Sequence, residues 1–410
     1  MKGFASVLLV STVASAGAWR AAAFPAAAGA AKGIETCALR SHPLTAPKVH
    51  QDLLAVAGQY FHPEHSGGFD AFRSDVAPTR QDDGDVVFPW FDVQELQKPV
   101  IPPRGVRVVI SLESGYLVTR RLAGQCCREE LGFLKRGQPT PRWFGVRLYP
   151  DSAVESRSGE IWAITRGQLD PEQEKPPVRL LHVRCDGKVD DKRLDVSDWA
   201  RDAKLALTAD DRPALVFLRR DAGRLRLLLS WSLDPSTATP LDEVEVPIAV
   251  AKLSQRSGVA VSVAADGKHG LGVAWSPLTD RSSTGSWTVP TAGEVRWLTV
   301  EPDGPMTRPR RHATTAQPLG FYSGHGPYGL AGNGLKAGVL GGRAFFSWIE
   351  GAAIMGVRST DDGPTPLAPS DTGLHGAGAP LINLRERNDG LDLILFHSAP
   401  RVSAFRVGCD

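Results

Sequence analysis

Asp266-Gly267-Lys268-His269-Gly270-Leu271-Gly272-Val273-Ala274-Trp275 is a tight turn followed by an apolar run. Asp and Gly tolerate the backbone angles a turn demands, and a short apolar run ending in an aromatic residue is a buried strand signal. The same order recurs along the chain. Ser114-Gly115 precedes Tyr116 to Val118, Ser158-Gly159 precedes Ile161 to Ile164, and Asp210-Asp211 precedes Ala214 to Leu218. Gly341-Gly342 precedes Ala344 to Trp348, and Asp389-Gly390 precedes Leu391 to Phe396. Successive turns lie 44, 52, 56, 75 and 48 residues apart, mostly near the period of about 40 to 50 residues typical of propeller blades.

Within each unit an apolar strand, a tight turn and a second strand are followed by a third, alternating strand such as Arg224 to Trp231, Glu294 to Val300 or Val402 to Val407. A sheet of three or four short strands cannot bury its own faces, so the units must stack around an axis or along one. The expectation is an all-β fold, a β-propeller of six or seven blades, with tandem β-sandwich domains as the alternative. Asp83-Gly84 before Val86 to Trp90 offers either a seventh unit or the strand that closes the last blade. Trp162, Trp231, Trp275, Trp297 and Trp348 fall on these strands, where a large flat side chain fills the wedge between sheets. Residues 128–135 and 196–203 read as short helices in connections, and Asp170 to Pro177 as an exposed loop.

Composition agrees. The 410 residues include 42 Gly and 31 Pro, about 18% of the chain against an average near 12%, which excludes helical bundles and coiled coils. Apolar residues make up 42% and charged ones 22%, so the chain folds rather than staying disordered. Its 47 Lys+Arg against 45 Asp+Glu supply no global field to gather nucleic acid or an anionic membrane surface.

With the units in place, a resemblance can be stated. Across roughly residues 105 to 407 they resemble β-propeller blades of the loose kind found in sialidase-like and other bacterial secreted propellers. The sialidase-type Asp-box has the form S-x-D-x-G-x-T-W; Gly159 and Trp162 match its glycine and tryptophan, while Arg157 stands where the aspartate belongs. The resemblance implies a secreted propeller. It carries over no catalytic residue, because the arginine triad and tyrosine nucleophile of sialidase chemistry match no motif here. The WD dipeptide and the kelch double glycine are likewise not repeated.

The N-terminus carries Lys2, an apolar run from Phe4 to Val13, and A-x-A sites at Ala14-Ser15-Ala16 and Ala21-Ala22-Ala23, the layout of a secretory signal. The run is too short to span a bilayer. An organellar transit peptide is the rival, since no acidic residue occurs up to Lys32. The expected division is a signal peptide at 1–23, a partly extended segment at 24–104 that could give a closing strand, and the propeller at 105–410, exported as a secreted or periplasmic protein.

Five cysteines, Cys37, Cys126, Cys127, Cys185 and Cys409, fit an oxidising compartment, and an odd number leaves one free. Cys37 and Cys409 sit near the two ends of the mature chain. A bond between them would remove on the order of 4 kcal/mol of loop entropy from the unfolded state. Cys185 could instead take Cys126 or Cys127.

The longest interval, Gly267 to Gly342, exceeds its neighbours by roughly 25 residues, and insertions in repeat folds map to loops on one face. It holds Arg308, Arg310, Arg311 and His312, then Tyr322, His325 and Tyr328 among glycines. Guanidinium forks hold carboxylate or phosphate oxygens and aromatic faces stack on sugars, so these residues suit an anionic or glycan ligand; the competing reading is a solvated loop paired with Glu301 and Asp303. His62, Glu64 and His65 offer three metal ligands, but Pro63 argues against a helical turn there and no fourth ligand is indicated. Asp82-Asp83, Asp190-Asp191 and Asp361-Asp362 lie in turn-like contexts, where carboxylates cap backbone amides. No G-x-S-x-G elbow, P-loop, dinucleotide fingerprint or EF-hand loop is present, and no cofactor is implied.

The sequence therefore reads as a secreted, non-catalytic propeller that recognises a protein or glycan through its blade loops, above all residues 302 to 330. The alternative is an exported hydrolase or lyase acting on polysaccharide, with acids converging at the axis. A structural envelope component is a third, weaker reading.

Overall fold

The computed structural model describes residues 38–43, 80–82, 85–87, 106–121, 129–135, 138–167 (apart from 139 and 147), 178–194, 203–221, 224–244, 259–284, 287–314 (apart from 305), 335–350, 353–369, 381–387, 390–396 and 402–409. Among them the strands form six four-stranded antiparallel sheets and one separate hairpin. The N-terminal strand is β1 (Leu39–Pro43), and the separate hairpin pairs β2 (Arg80–Asp82) with β3 (Asp85–Val87). Blade one holds β4 (Val106–Ser111), β5 (Gly115–Arg121), β6 (Glu129–Lys135) and β7 (Arg142–Trp143). Blade two holds β8 (Leu148–Glu155), β9 (Ile161–Gly167), β10 (Val178–Val183) and β11 (Val189–Arg193). Blade three holds β12 (Lys204–Leu207), β13 (Pro213–Asp221), β14 (Arg224–Ser230) and β15 (Thr239–Val244). Blade four holds β16 (Val259–Asp266), β17 (Gly270–Thr284), β18 (Trp287–Val300) and β19 (Arg310–Thr314), and blade five β20 (Leu335–Leu340), β21 (Arg343–Glu350), β22 (Ala353–Arg358) and β23 (Thr365–Pro369). Blade six holds β24 (Leu381–Arg387), β25 (Gly390–Phe396) and β26 (Val402–Cys409), and takes β1 as its outer strand.

Consecutive blades from one to six meet through apolar faces, because side chains alternate along a strand. Leu117 and Leu131 of blade one meet Ile161, Ala163 and Leu181 of blade two. Trp162 and Ile164 then meet Leu215 and Phe217 of blade three, and Val216, Leu227 and Leu229 meet Val273 and Trp275 of blade four. Trp297 packs against Phe346 and Trp348 of blade five. Phe345 and Ile354 pack against Leu39, Leu391, Leu393 and Val407 of blade six. The fold is an all-β propeller, and Trp275, Trp297 and Trp348 are at most 1% exposed, filling wedges as the sequence implied.

Two expectations are corrected. The closing strand is Leu39–Pro43, inside the 24–104 segment, paired with β26 from Leu39↔Cys409 to Pro43↔Phe405; among the described residues 85–87 pair with 80–82 alone, and residues 88–90 lie outside them. Residues 129–135 are a strand, not a helix: register with β5, from Gly115↔Lys135 to Arg121↔Glu129, buries Leu131 and Leu134 on opposite faces. Here tertiary pairing overrides the helical preference of Glu-Glu-Leu. Of the second proposed helix only Ala203 is described, and it lies outside any helix. Asp170 to Pro177 lie outside the described residues.

The first turns of blades two and three show how local chemistry sets the geometry. In blade two, Ser156 Oγ accepts from Glu160 N at 3.1 Å, and Gly159 takes φ +82°. In blade three, Thr208 Oγ1 accepts from Arg212 N at 3.0 Å, and Asp211 takes φ +65°. A hydroxyl one residue before Arg157 thus caps the turn that lacks the Asp-box carboxylate. Arg157 reaches outward instead, donating from Nη2 to Ala209 O of blade three at 2.8 Å.

Candidate functional site

Blade four differs from the others in the length of its middle hairpin. β17 has 15 residues and β18 has 14, whereas β5, β9, β13, β21 and β25 have 7 to 9. Among the described residues the inner neighbour β16 pairs with β17 as far as Pro277, and the outer neighbour β19 pairs with β18 from Gly293. From Leu278↔Gly293 to Thr284↔Trp287 the two strands pair with each other alone among the described residues, with register shifts around Asp280. At about 3.3 Å per residue this arm stands roughly 20 Å beyond the sheet. Part of the long interval between Gly267 and Gly342 is therefore strand rather than loop. Its sequence signal, the apolar residues of Trp287 to Val289 after Gly285-Ser286, was readable but overshadowed by the Gly-rich stretch that follows.

The arginine cluster is divided by the strand it lies on. Arg310 stands opposite Trp297, Arg311 opposite Arg296 and His312 opposite Val295, so Arg310 and His312 share the face turned to blade five while Arg311 points to the other. Arg310 Nη1 donates to Ser359 O. His312 Nε2 lies 2.9 Å from Glu350 Oε2, which also accepts from Trp348 Nε1 at 3.2 Å. The His312 and Trp348 rings are tilted at 6.0 Å between centroids. On the opposite face Arg296 is held by Asp242 at 2.7 Å and by Glu294. Arg308 is exposed, before β19. The chain leaves β19 at the far end, at Thr314; Tyr322, His325 and Tyr328 lie outside the described residues.

Among the described candidates Arg310 and His312 alone share one face, and both are engaged by blade five. A period of two on a strand separates residues that are neighbours in sequence. What the sequence reading missed is the partner set of Ser359, Trp348 and Glu350, which arrives from another blade and leaves no linear motif.

The other candidates are placed as follows. His62, Glu64 and His65 lie outside the described residues, as do Cys37, Cys126 and Cys127. Cys185 carries an exposed free thiol, and Cys409 pairs through its backbone with Leu39. Asp190 and Asp191 lie on β11, not in a turn, and pair with Arg184 and Arg179, each at 2.6 Å; the Asp190 bond pushes the Arg184 pKa up. Asp361 accepts from Arg358 N at 3.0 Å and from its Nη2 at 2.7 Å, capping a turn as expected. Asp362 is exposed. Asp82 ends β2, and Asp83 lies outside the described residues. Among the described residues no three His, Cys, Asp or Glu side chains are grouped to hold a metal, and no helix is long and apolar enough to cross a membrane.

No family model matches the chain, and no curated protein matches it. Among solved structures it is similar to a polysaccharide lyase, Uly1, at TM-score 0.40 and 10% identity, covering 81% of this chain and 89% of that one. It is similar to TolB from Acinetobacter baumannii at TM-score 0.35 and 10% identity, covering 90% and 97%. It is also similar to the Dos1 propeller at TM-score 0.35 and 10% identity, covering 74% and 80%. The sheet order and the blade-to-blade cores define the class, a β-propeller.

Proposed function

We propose that this propeller is an exported binding protein that recognises a protein or glycan partner through the loops and projecting hairpin of blade four. The observation that carries the reading is the arm from Leu278 to Ala292, whose outer edges are unpaired among the described residues. The other five blades complete their sheets with second strands of 7 to 9 residues, so a hairpin lengthened in this one blade is better accounted for as a contact element than as scaffold. β19 ends at Thr314, opposite Gly293 at the base of the arm; Tyr322, His325 and Tyr328, the aromatic part of the proposed ligand region, follow in sequence. Arg308 belongs to the other end and, in this reading, is dispensable. Export rests on the N-terminal layout around Phe4 to Val13.

The test uses three probes: peptidoglycan sacculi, soluble acidic polysaccharide, and surface-labelled envelope proteins. Retention on at least one is expected, and replacing residues 279–291 by Asn-Gly should reduce it at least tenfold. Equal retention by the shortened protein would remove the arm from the account. Release of new polysaccharide ends during incubation would favour the exported hydrolase or lyase instead. Cell fractionation with residues 1–23 present and deleted tests export.

A further inference from the structure

A two-stranded ribbon twists strongly and is marginally stable by itself, so the direction in which the arm of blade four points is decided at its root, the pair Leu278↔Gly293. Three residues before that pair, Trp275 and Arg296 stand opposite each other on the face turned to blade three. Trp275 Nε1 donates to Asp242 Oδ2 at 3.1 Å, and Arg296 Nη1 donates to the same oxygen at 2.7 Å. Asp242 belongs to β15 of blade three, while Glu294 of β18 holds the other edge of the guanidinium. The opposite face repeats the constellation with different residues. His312 lies two residues before Thr314, which stands opposite Gly293. Its Nε2 is 2.9 Å from Glu350 Oε2, and Trp348 Nε1 donates to that same oxygen at 3.2 Å. On each face one carboxylate oxygen of a neighbouring blade thus accepts from an indole N–H and from a basic side chain of blade four. The side chains of Asp242 and Glu350 are 16% and 9% exposed, so water competes little and such bonds are strong and directional.

We infer that these two clamps aim the arm: Asp242 with Arg296 on one face and Glu350 with His312 on the other fix the root of the hairpin, and so the direction of Leu278 to Ala292 relative to the ring. A ribbon bends most readily out of its own plane, toward blade three or toward blade five. A tether on one face resists bending away from that side, so tethers on both faces resist it in either sense. The four residues are positioning residues. Their role rests on the reading of the arm as a contact element, since an arm held in one direction meets its partner with less ordering cost than a loose one.

The experiment reads the arm directly and needs no ligand. In the full chain Ser283 of the arm and Lys188, an exposed residue of blade two, are replaced by a noncanonical residue that carries a spin label, and the distribution of label-to-label distances is measured by pulsed electron paramagnetic resonance. A narrow distribution is expected with both clamps intact; a broad one there overturns the inference. Asp242→Leu and His312→Leu each remove one clamp and should roughly double the width, and the double variant should widen it further because the clamps lie on opposite faces. Asp242→Asn keeps an acceptor oxygen without the charge and should fall between the intact protein and Asp242→Leu. Unchanged widths with a lowered thermal midpoint would make the clamps simple adhesion between blades and overturn the inference. If Asp242→Leu fails to fold, His312→Leu on the other face decides alone. Retention on sacculi and acidic polysaccharide is measured on the same variants: a widened arm with undiminished retention would support the clamps and count against the arm as the contact element.

Discussion

Asp266 and Glu386 sit near the ends of the inner strands of blades four and six, and each offers a carboxylate to a neighbouring blade, yet their surroundings are opposite. Asp266 is 5% exposed and accepts from Ala344 N at 2.9 Å and Ser359 Oγ at 2.6 Å, with Arg343 Nη1 at 3.9 Å. Beside it Gly267 N donates to Gly342 O at 2.8 Å, and Gly272 lies so close to Ala344 that a Cβ would collide. Glu386 accepts one backbone bond, from Val339 N at 3.0 Å, and faces the like charge of Glu113 in blade one. The seam between blades four and five is keyed by a compensated buried charge. Around Glu386 one amide and one like charge oppose each other, so its carboxylate is less well compensated than that of Asp266, while β1 completes blade six by pairing with β26.

The largest expected effect lies in the keyed seam. Trp348→Ala removes a side chain 1% exposed and should cost about 3 to 5 kcal/mol, read from chemical denaturation. It also removes the indole N–H that Glu350 accepts. A cost below about 1 kcal/mol would mean that the two blades do not share a packed core. Asp266→Ala should come next, at about 2 to 3 kcal/mol, since it orphans the Ala344 amide and the Ser359 hydroxyl. If this variant were no less stable than wild type, the contrast with Glu386 would collapse.

A third variant probes the turns. Thr208 is 3% exposed; its hydroxyl caps Arg212 N and donates to Asp210. Thr208→Val keeps the shape and should cost about 1 kcal/mol. Asp210 also lies 2.7 Å from His269 of blade four, so the loss should be partly relieved in Asp210→Ala, where the hydroxyl has less to hold.

The repeated turn-and-strand units were legible because local chemistry alone writes them: Gly159 and Gly342 supply positive φ, and the apolar runs after them supply buried strands. The closing strand was not legible in this way. Leu39-Arg40-Ser41-His42-Pro43 has one buried residue, and only pairing with a strand more than 350 residues away makes it part of a sheet. The Glu-Glu-Leu start of β6 misled for the same reason. At the candidate site the residue types were found but not their grouping, because Arg310 and His312 meet Ser359 and Glu350 only through packing of separate blades. Ser156, one place from where an Asp-box would put its carboxylate, shows that a turn can be capped by a different residue than the motif names.

The smallest effect carries the sharpest sign. Loss of water around the carboxyl, then the negative charge of Glu113, push the Glu386 pKa above the ordinary value, although the residue is exposed over much of its surface. For Asp210 the Thr208 hydroxyl, and then His269, hold the pKa below it. A raised folded-state pKa means that the protonated form is favoured by folding, so the Glu386 contribution is present below the unfolded carboxylate value and lost as pH rises through the folded one. A depressed pKa gives the reverse: the Asp210 contribution is present above the unfolded value and lost as pH falls. Glu386→Gln should therefore raise the thermal midpoint slightly at pH 7 and lose that advantage near pH 4, whereas Asp210→Asn should lower it at pH 7 and converge on wild type in acid. Both changes stay small because these groups meet solvent, where screening weakens such pairs. Two curves of the same sign would show that the carboxylate of blade six is as well compensated as that of blade three.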